Sequence, residues 1–202
     1  MAVLKPTSAC ANRFVRACAR SLCGGFLIAL LCAGASAPRG EYEVKAAFLY
    51  KFAGFVEWPA ESFPEADTAF RIGILGEDPF KETLDEMAKK KTVLRRRIEI
   101  HRSGNAEDLK QCHIVFVSAA NADKIGALSD FFDKTHTLTV GESKGFAENG
   151  GTINFVKEED KIRFEINPES ARKAGLKISS QLLDLARIVQ TRSKETAEHA
   201  AN

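Results

Sequence analysis

The sequence predicts an α/β protein with a single compact domain, in which helices flank a mainly parallel central sheet that ends in an antiparallel C-terminal hairpin. Three observations predict this class. Strand-like and helix-like segments alternate between residues 70 and 140, which is typical of parallel sheets. Residues 114–117 are apolar on both faces, as a central parallel strand should be. Residues 153–166 alternate apolar and polar side chains around an acidic turn, which predicts the hairpin.

The first helix is predicted over residues 42–56. Apolar residues recur there at spacings of three and four, and Pro59 closes the segment. The residues expected to form its apolar stripe are Val44, Phe48, Phe52 and Phe55, with Ala47 and Val56 beside them. A polar connector at 60–69 follows.

The middle of the chain predicts alternating strands and helices. In chain order these are a strand at 70–75, a helix capped by Asp78 with Pro79 in its first position, a strand around Ile98 and Ile100, an optional short helix at 105–110, the strand at 114–117, a helix capped by Asn121, and a strand at 138–140.

The last third of the chain predicts a different arrangement. Ile153 and Phe155 pair with the segment 162–166 in the hairpin, which we expect at a sheet edge. Asn167-Pro168 begins a short helix that Gly175 ends. A final helix is predicted over 179–191, and its inward residues would be Leu182, Leu185, Ala186 and Val189.

Residues 1–37 have the three parts of a secretory signal peptide. Four basic residues and no acidic one come first, a short apolar run follows at 22–33, and small residues end at Ala37. We expect cleavage after Ala37 or after Ala35. The apolar run is shorter than the roughly 20 residues that a membrane-spanning helix needs, so a removable signal is the favoured interpretation.

Removing this segment changes the charge and the cysteine content. The whole chain has 29 basic and 27 acidic residues, whereas the 165 residues after Ala37 have 25 and 27, a net charge of −2. The basicity therefore does not indicate nucleic-acid binding. Four of the five cysteines also leave, and Cys112 remains unpaired, which excludes an internal disulfide and a cysteine-rich metal site.

None of the common catalytic or metal-binding patterns is convincing. Cys112 and His113 are neighbours in a strand-like segment, so their side chains should point to opposite faces. Ser118 lacks the glycines of a nucleophile elbow, and the four histidines lack metal-binding spacing. The turn at 73–78 lacks the third glycine of a dinucleotide-binding loop. The sequence predicts no cofactor and no metal.

Two further segments are explained most simply by local structure. Residues 89–97 contain six basic side chains, and a solvated loop is favoured over an anion-binding surface. Asn149-Gly150-Gly151 permits positive φ and predicts a tight turn into a strand.

One candidate site follows from position alone. In doubly wound sheets ligands bind at the carboxyl ends of parallel strands. Those ends here provide Glu77, Ser103, Ser118 and Glu142, which predict a polar crevice for a small solute. No acid–base pair can be assigned within it.

An ordered set of segments resembles the YfiR-like family of periplasmic proteins. The resemblance covers about residues 42–190, and no single motif is decisive. The segments are 44–52 with 56–59, then 111–117, 138–141 with 145–147, 150–156, 164–167 and 174–183. The predicted domain therefore spans residues 38–192, and residues 193–202 form a flexible tail.

The resemblance implies a regulatory function without enzymatic activity. Such proteins are periplasmic repressors that bind the periplasmic sensor domain of an inner-membrane diguanylate cyclase, and they restrain cyclic-di-GMP synthesis and biofilm growth. The implied partners are that cyclase and, as an option, a second copy of the chain. Redox-responsive members use disulfides, which the lone Cys112 cannot form within one chain. A periplasmic domain that binds a small solute is the alternative function.

Overall fold

The structure, a computed structural model, describes residues 39–192. The predicted signal peptide at 1–37 and the predicted tail at 193–202 lie outside the described residues. The helices are α1 (Arg39–Phe55), α2 (Glu82–Lys90), α3 (Ile125–Phe132), α4 (Pro168–Lys173) and α5 (Ser180–Leu183). The strands are β1 (Val56–Glu57), β2 (Phe70–Leu75), β3 (Thr92–Val93), β4 (Arg96–Ser103), β5 (Ile114–Val117), β6 (Leu138–Gly141), β7 (Ile153–Glu158), β8 (Lys161–Ile166), β9 (Lys177–Ile178) and β10 (Arg187–Ile188).

Eight of these strands form one sheet in the order β10-β8-β7-β6-β5-β2-β4-β3. The strands β4, β2, β5, β6 and β7 run parallel, β8 is antiparallel to β7, and β3 is antiparallel to β4. The short strands β1 and β9 pair separately. The predicted α/β class with a mainly parallel sheet and a C-terminal hairpin is confirmed.

Hydrophobic side chains fill both faces of the sheet. On one face, Leu49 and Phe52 of α1 and Leu84 of α2 join inward residues of the central strands, such as Ile72 and Phe116, in one cluster. On the other face, α3 and the 3-10 helix Ala106–Leu109 cover a second cluster, which includes Leu75, Leu109, Val115, Ile125 and Phe132. Consecutive residues of β5 therefore enter different clusters, which explains why this strand is apolar throughout.

Most predicted elements are confirmed at their predicted places. The strands at 70–75, 98–101, 114–117 and 138–140 are present, as are the hairpin and the short helix near 105–110. Asn167 caps α4 by accepting from the backbone N–H groups of Glu169 and Ser170. Gly150 has a φ of +107°, as the predicted turn requires. Beside it Gly151 lies against the Phe146 ring, where a Cβ would collide.

The apolar stripe predicted for α1 is partly wrong. Val44 is 44% exposed and Ala47 is exposed, whereas Lys45 and Leu49 are buried. The helix is rotated from the predicted orientation because Lys45 has ion-pair partners that stabilise its burial, described below. Phe48, Phe52 and Phe55 of the predicted stripe still pack against the core, so the buried side is shifted towards Lys45 and Leu49 and is not reversed.

The predicted beginnings of α2 and α3 are also wrong. The Asp78 carboxylate accepts from the N–H groups of Phe80 and Lys81, but this closes a turn, and α2 begins only at Glu82. Asn121 lies inside the 3-10 helix Ala119–Lys124 that precedes α3, and its side chain donates towards Leu75 and Ser118.

The final helix predicted over 179–191 is mostly absent. Ser179 caps the short α5, and the chain then extends to form β10. Leu185, predicted to face inward, is 71% exposed. Tertiary contacts override the helical pattern, because β8 offers an open edge to which β10 pairs in parallel and the Arg187 guanidinium pairs with the buried Glu165 carboxylate.

Candidate functional site

The four predicted crevice residues lie together at the carboxyl ends of the parallel strands β2, β4, β5 and β6. Strand register brings these ends together, since Leu75 lies opposite both Ser103 and Val117, and Val117 lies opposite Gly141. Glu77 is exposed, Ser103 and Glu142 are half-buried, and Ser118 is buried. Their side chains nevertheless bond to separate neighbours, and whether they bind a solute stays a prediction.

Ser103 and Ser118 have structural hydrogen-bond partners. The Ser103 hydroxyl donates to Asp108 at 2.6 Å and accepts from the Asn105 N–H at 3.0 Å. Ser118 lies against Gly76, where a Cβ would collide with it, and the Asn121 amide is 3.4 Å from its hydroxyl. Neither hydroxyl is hydrogen-bonded to a histidine or lysine side chain that would activate it as a nucleophile.

Glu142 belongs to a buried ionic cluster that the sequence analysis did not predict. Its carboxylate lies 2.6 Å from the Lys45 ammonium, which is also 2.6 Å from Glu41, one turn earlier on α1. Tyr42 donates to Glu142 at 3.2 Å, and the Lys45 ammonium lies 4.5 Å from the centre of the Tyr42 ring. The cluster therefore fastens the first turns of α1 to the loop after β6.

The charges of this cluster alter the titration of its members. Hydrogen bonding and attraction to Lys45 lower the pKa of Glu41, although burial opposes the effect. Burial, followed by the nearby Glu142 carboxylate, raises the pKa of Tyr42 to about 12. At neutral pH the phenol is protonated and donates to Glu142. The one signal in the sequence was the Glu41–Lys45 spacing of four residues, which suits a helical ion pair.

A polar cleft of about 510 Å³ lies at the opposite, amino ends of the parallel strands. It lies between the connector after β1 and the beginnings of β2 and β5. Three basic side chains, Arg71, Arg97 and Lys110, line it together with the carboxylates of Glu61, Glu65 and Asp67. The Arg71 guanidinium lies 3.4 Å from Glu99, whose other carboxylate oxygen is 2.9 Å from Arg97. Two guanidinium groups thus share one carboxylate. The sequence analysis did not predict a site at these strand ends.

His113 holds the connector against the sheet at the base of this cleft. Its Nδ1 accepts from the Arg71 N–H at 3.0 Å, and its Nε2–H donates to the Ser62 carbonyl at 3.0 Å. The ring stacks between Phe63 and Phe70, with centroid separations of 4.5 and 4.8 Å. Burial lowers the pKa of His113, so the ring is neutral and both nitrogens serve structural bonds.

Cys112 lies on the other face of the sheet, as its neighbouring position predicts. It is buried in the cluster with Leu109 and Val115, and burial raises its pKa to about 12. The thiol is therefore protonated and unsuited to nucleophilic attack.

Within residues 39–192 no group of three or more histidine, cysteine or acidic side chains is placed to bind a metal ion. Nor does this part of the chain contain a helix long and apolar enough to cross a bilayer.

The profile of the YfiR/HmsC-like family matches residues 42–187, which is most of the described chain. The chain belongs to the YfiR/HmsC-like family. Members of this family are periplasmic regulatory proteins, which agrees with the expected regulatory class. No curated protein matches the sequence significantly.

Several solved structures are similar to part of this YfiR/HmsC-like chain. A conserved domain protein from Vibrio cholerae has a TM-score of 0.50 and 12% identity, and the match covers 73% of this chain and 59% of that one, less than two thirds of its length. The domain of a Streptococcus protein in complex with L-Trp has a TM-score of 0.44 and 13% identity, covering 59% and 55%. A ligand-free substrate-binding protein with adhesive properties from Clostridium difficile has a TM-score of 0.45 and 13% identity, covering 62% and 56%. At these identities the likeness concerns the fold alone.

Proposed function

We propose that this protein is a non-enzymatic regulator that binds the periplasmic domain of an inner-membrane diguanylate cyclase and represses cyclic-di-GMP synthesis. The observation that supports this most directly is its membership of the YfiR/HmsC-like family over residues 42–187. A regulator of this kind needs a stable fold and a binding surface, and it needs no reactive group. Cys112 is protonated, and His113 is neutral with both ring nitrogens hydrogen-bonded, which is consistent with a protein that needs no reactive group.

Two exposed regions are candidates for the contact with the cyclase. The outward side of α1 presents Glu43, Val44 and Lys51, and it has one large exposed apolar side chain, Val44. The tip of the β7–β8 hairpin is highly charged, with Lys157, Glu158, Glu159, Asp160 and Lys161 all exposed. A hydrophobic anchor beside a charged rim is the usual composition of a protein interface. A homodimer through one of these surfaces is also part of the proposal.

Deleting the gene and measuring cyclic-di-GMP tests repression. We expect the messenger and biofilm formation to rise, and the full chain supplied in trans should restore the lower level. The variant Val44→Glu should restore it less well if α1 is the contact, whereas Ala120→Glu, an exposed substitution far from both regions in sequence, is the matched control. An unchanged messenger level in a strain that retains the cognate cyclase contradicts repression.

Delivery to the periplasm by a cleaved signal peptide is a separate part of the proposal. The N-terminus of the protein recovered from the periplasmic fraction should begin at Pro38 or at Ser36. A chain without residues 1–37 should stay in the cytoplasm and fail to complement the deletion. Complementation by this shortened chain would contradict regulation from the periplasm.

A second candidate function is binding of a small solute, which the polar cleft favours. Its volume of about 510 Å³ lies within the range of small-molecule sites. Guanidinium groups of Arg71 and Arg97 and carboxylates of Glu61 and Glu65 line it, which suits a zwitterion such as a free amino acid. The predicted crevice with Glu77, Ser103, Ser118 and Glu142 remains a second proposed location.

A thermal-shift screen of amino acids, sugars and nucleotides separates these two locations. A ligand at 100 times its dissociation constant adds about 2.7 kcal/mol of stability. A response that Arg71→Gln removes and Glu77→Gln retains places the ligand in the cleft, and the reverse places it in the crevice. Flat results for every solute contradict this second function and leave the regulatory proposal unaffected.

A further inference from the structure

The hairpin formed by β3 and β4 ends in an unusual two-residue turn. Val93 pairs with Arg96, so Leu94 and Arg95 alone connect the strands at the outer end of the eight-stranded sheet. Both connecting residues have positive φ, +50° for Leu94 and +63° for Arg95. This is the backbone of a primed hairpin turn, which ordinarily selects asparagine or glycine at both places.

Leu94 is unfavourable at this position by two separate criteria. A bulky side chain in the left-handed region is a backbone outlier. The side chain is also 51% exposed, so it gains little from packing against the protein's own core. Neither backbone conformation nor burial explains a leucine at the tip, and an external apolar partner would explain it.

Exposed basic side chains flank this apolar tip in the sequence. Lys89, Lys90, Lys91, Arg95 and Arg97 are all exposed within nine residues of sequence. Glu86 pairs with Lys89 and Lys90, and Glu99 pairs with Arg97. Among residues 39–192, no carboxylate lies within ion-pair distance of Lys91 or Arg95. The Lys91 ammonium instead lies 5.7 Å from the Tyr50 ring centre. The positive charge beside the tip is therefore only partly neutralised.

The sixth basic residue has a structural role that stiffens the hairpin. The Arg96 guanidinium donates to the carbonyl oxygens of Glu65, Ala66 and Thr68 at 3.0, 2.9 and 2.8 Å, and it stacks 4.4 Å over the Phe63 ring. Arg96 thus fixes the base of the turn to the connector, while Leu94 and Arg95 project from it.

We propose that the Leu94–Arg95 turn is a membrane-docking tip that inserts Leu94 among anionic phospholipid headgroups, with Lys91 and Arg95 contacting the phosphates. One apolar side chain beside basic side chains suits the lipid interface. The basic groups attract the anionic headgroups, and shallow insertion of the apolar side chain stabilises the bound state. An acidic protein surface is the less favoured partner, because a stable protein interface buries about 800 Å² on each side and a two-residue tip offers far less. The inference goes beyond the proposed function and requires no particular cyclase.

Vesicle sedimentation tests the proposal with protein recovered from the periplasm of cells that express the full chain. We expect binding to vesicles of phosphatidylglycerol and phosphatidylcholine that is at least about tenfold stronger than to phosphatidylcholine alone, and weaker at high salt. Leu94→Asn should weaken it about fivefold to tenfold, since it removes the inserted side chain. The double variant Lys91→Gln/Arg95→Gln should weaken it about thirtyfold.

Matched variants outside the β3–β4 hairpin provide the controls. Leu185→Asn removes a more exposed leucine, and Lys161→Gln/Lys177→Gln removes two exposed charges, so neither should change binding. Leu94→Asn should also keep or raise the melting temperature, because asparagine tolerates positive φ, and this separates lost binding from lost folding. Equal binding to both vesicle types overturns the proposal. The proposal is also overturned if polyglutamate competes for binding and the Leu94→Asn variant binds as well as the wild type. That result would indicate an acidic protein partner.

Discussion

Gly73 lies directly beside the buried thiol of Cys112. A Cβ placed on Gly73 would lie 3.1 Å from the Cys112 Sγ and 3.2 Å from side-chain atoms of Leu109 and Val115. In a disulfide the Cβ of one cysteine lies roughly 3 Å from the sulfur of the other. The Cys112 sulfur therefore lies at the distance that a disulfide requires, and the Leu109 and Val115 side chains must move slightly to admit the new Cβ.

We expect Gly73→Cys to form a disulfide with Cys112 under oxidising conditions. The bond should stabilise the protein by about 2–4 kcal/mol over its reduced form, because it closes a long loop in the unfolded chain. Thiol titration after unfolding, with and without reductant, and melting curves under both conditions measure the effect. Gly73→Ala is the control, since it adds the same Cβ without sulfur. Two titratable thiols in unreduced protein would show that the geometry is unsuitable.

The neutral state of His113 predicts a loss of stability in mild acid. Burial holds its pKa below the ordinary value of 6.5, so below pH 6.5 the unfolded chain binds a proton that the folded chain does not. Its contribution is thus present above pH 6.5 and is lost as the pH falls towards the lowered pKa, by at most about 1.4 kcal/mol per pH unit.

Urea unfolding of the wild type and of His113→Phe at about pH 7.5, 6.5 and 5.5 measures how the free energy of unfolding depends on pH. The variant keeps the ring stacking but loses two hydrogen bonds, so it should be less stable at pH 7.5 by about 1–3 kcal/mol and lose less stability on acidification. A slope unchanged in His113→Phe would assign the acid sensitivity to other groups.

At the scale of single elements, α1 shows that a charged residue can lie on the buried side of a helix when its partners are also there. Lys45 is 4% exposed, yet both of its carboxylate partners lie 2.6 Å away. Removing one partner of a buried ion pair leaves an uncompensated charge, which costs far more than losing a surface charge.

Lys45→Met should therefore destabilise the protein by about 3 kcal/mol, while Lys51→Met on the exposed side of the same helix should change it by less than about 0.5 kcal/mol. Denaturant unfolding measures both. The double variant Lys45→Met/Glu142→Gln should recover part of the loss, because it removes the Glu142 charge, while Glu41 keeps the Lys157 ammonium 3.4 Å away. Similar effects of the two single lysine variants would contradict the role of the cluster.

The C-terminal segment is the element for which sequence periodicity gave the wrong structure. Leucines at 182 and 185 suit a helix, but only Leu182 is buried. Beyond α5 the N–H of Val189 donates to the Ile166 carbonyl at 2.9 Å, and Arg187 pairs with Glu165, which is 3% exposed. A buried carboxylate and a free strand edge favour an extended chain here, and both lie at least 20 residues earlier in the sequence.

At the scale of the whole molecule, both hydrophobic clusters share the same central strands. Ile72 and Phe116 belong to one cluster, while Leu75 and Val115 belong to the other. Neither cluster can be lost without disrupting β2 and β5, so the domain should unfold as one cooperative unit.

The single tryptophan provides a convenient test of this cooperativity. Trp58 lies at one edge of the sheet, 5.2 Å from the Phe70 ring centre, whereas circular dichroism reports on the sheet as a whole. We expect the two signals to give the same midpoint in urea. Separate midpoints would show that the connector around Trp58 unfolds independently of the sheet.

The fold class was predictable because its signals are local. A run of four apolar residues at 114–117, bounded by polar positions, specifies a strand buried on both faces. The candidate site was predictable only as a position. The register does bring Ser103, Ser118 and Gly141 to one end of the parallel strands, but sequence gave no sign that Glu142 would pair with Lys45 or that a cleft would open at the opposite end.

The sequence by itself determined the α/β class, the central strands, the hairpin and the family resemblance, because periodicity and turn residues act over a few positions. Only the tertiary structure decided which side of α1 faces the sheet, that residues 187–188 form a strand, and that His113 is neutral. Each of these depends on groups contributed from a distant part of the chain, which are the Glu142 carboxylate, the edge of β8 and the aromatic rings that bury His113. Burial makes such groups costly to leave unpaired, so their partners override the local pattern.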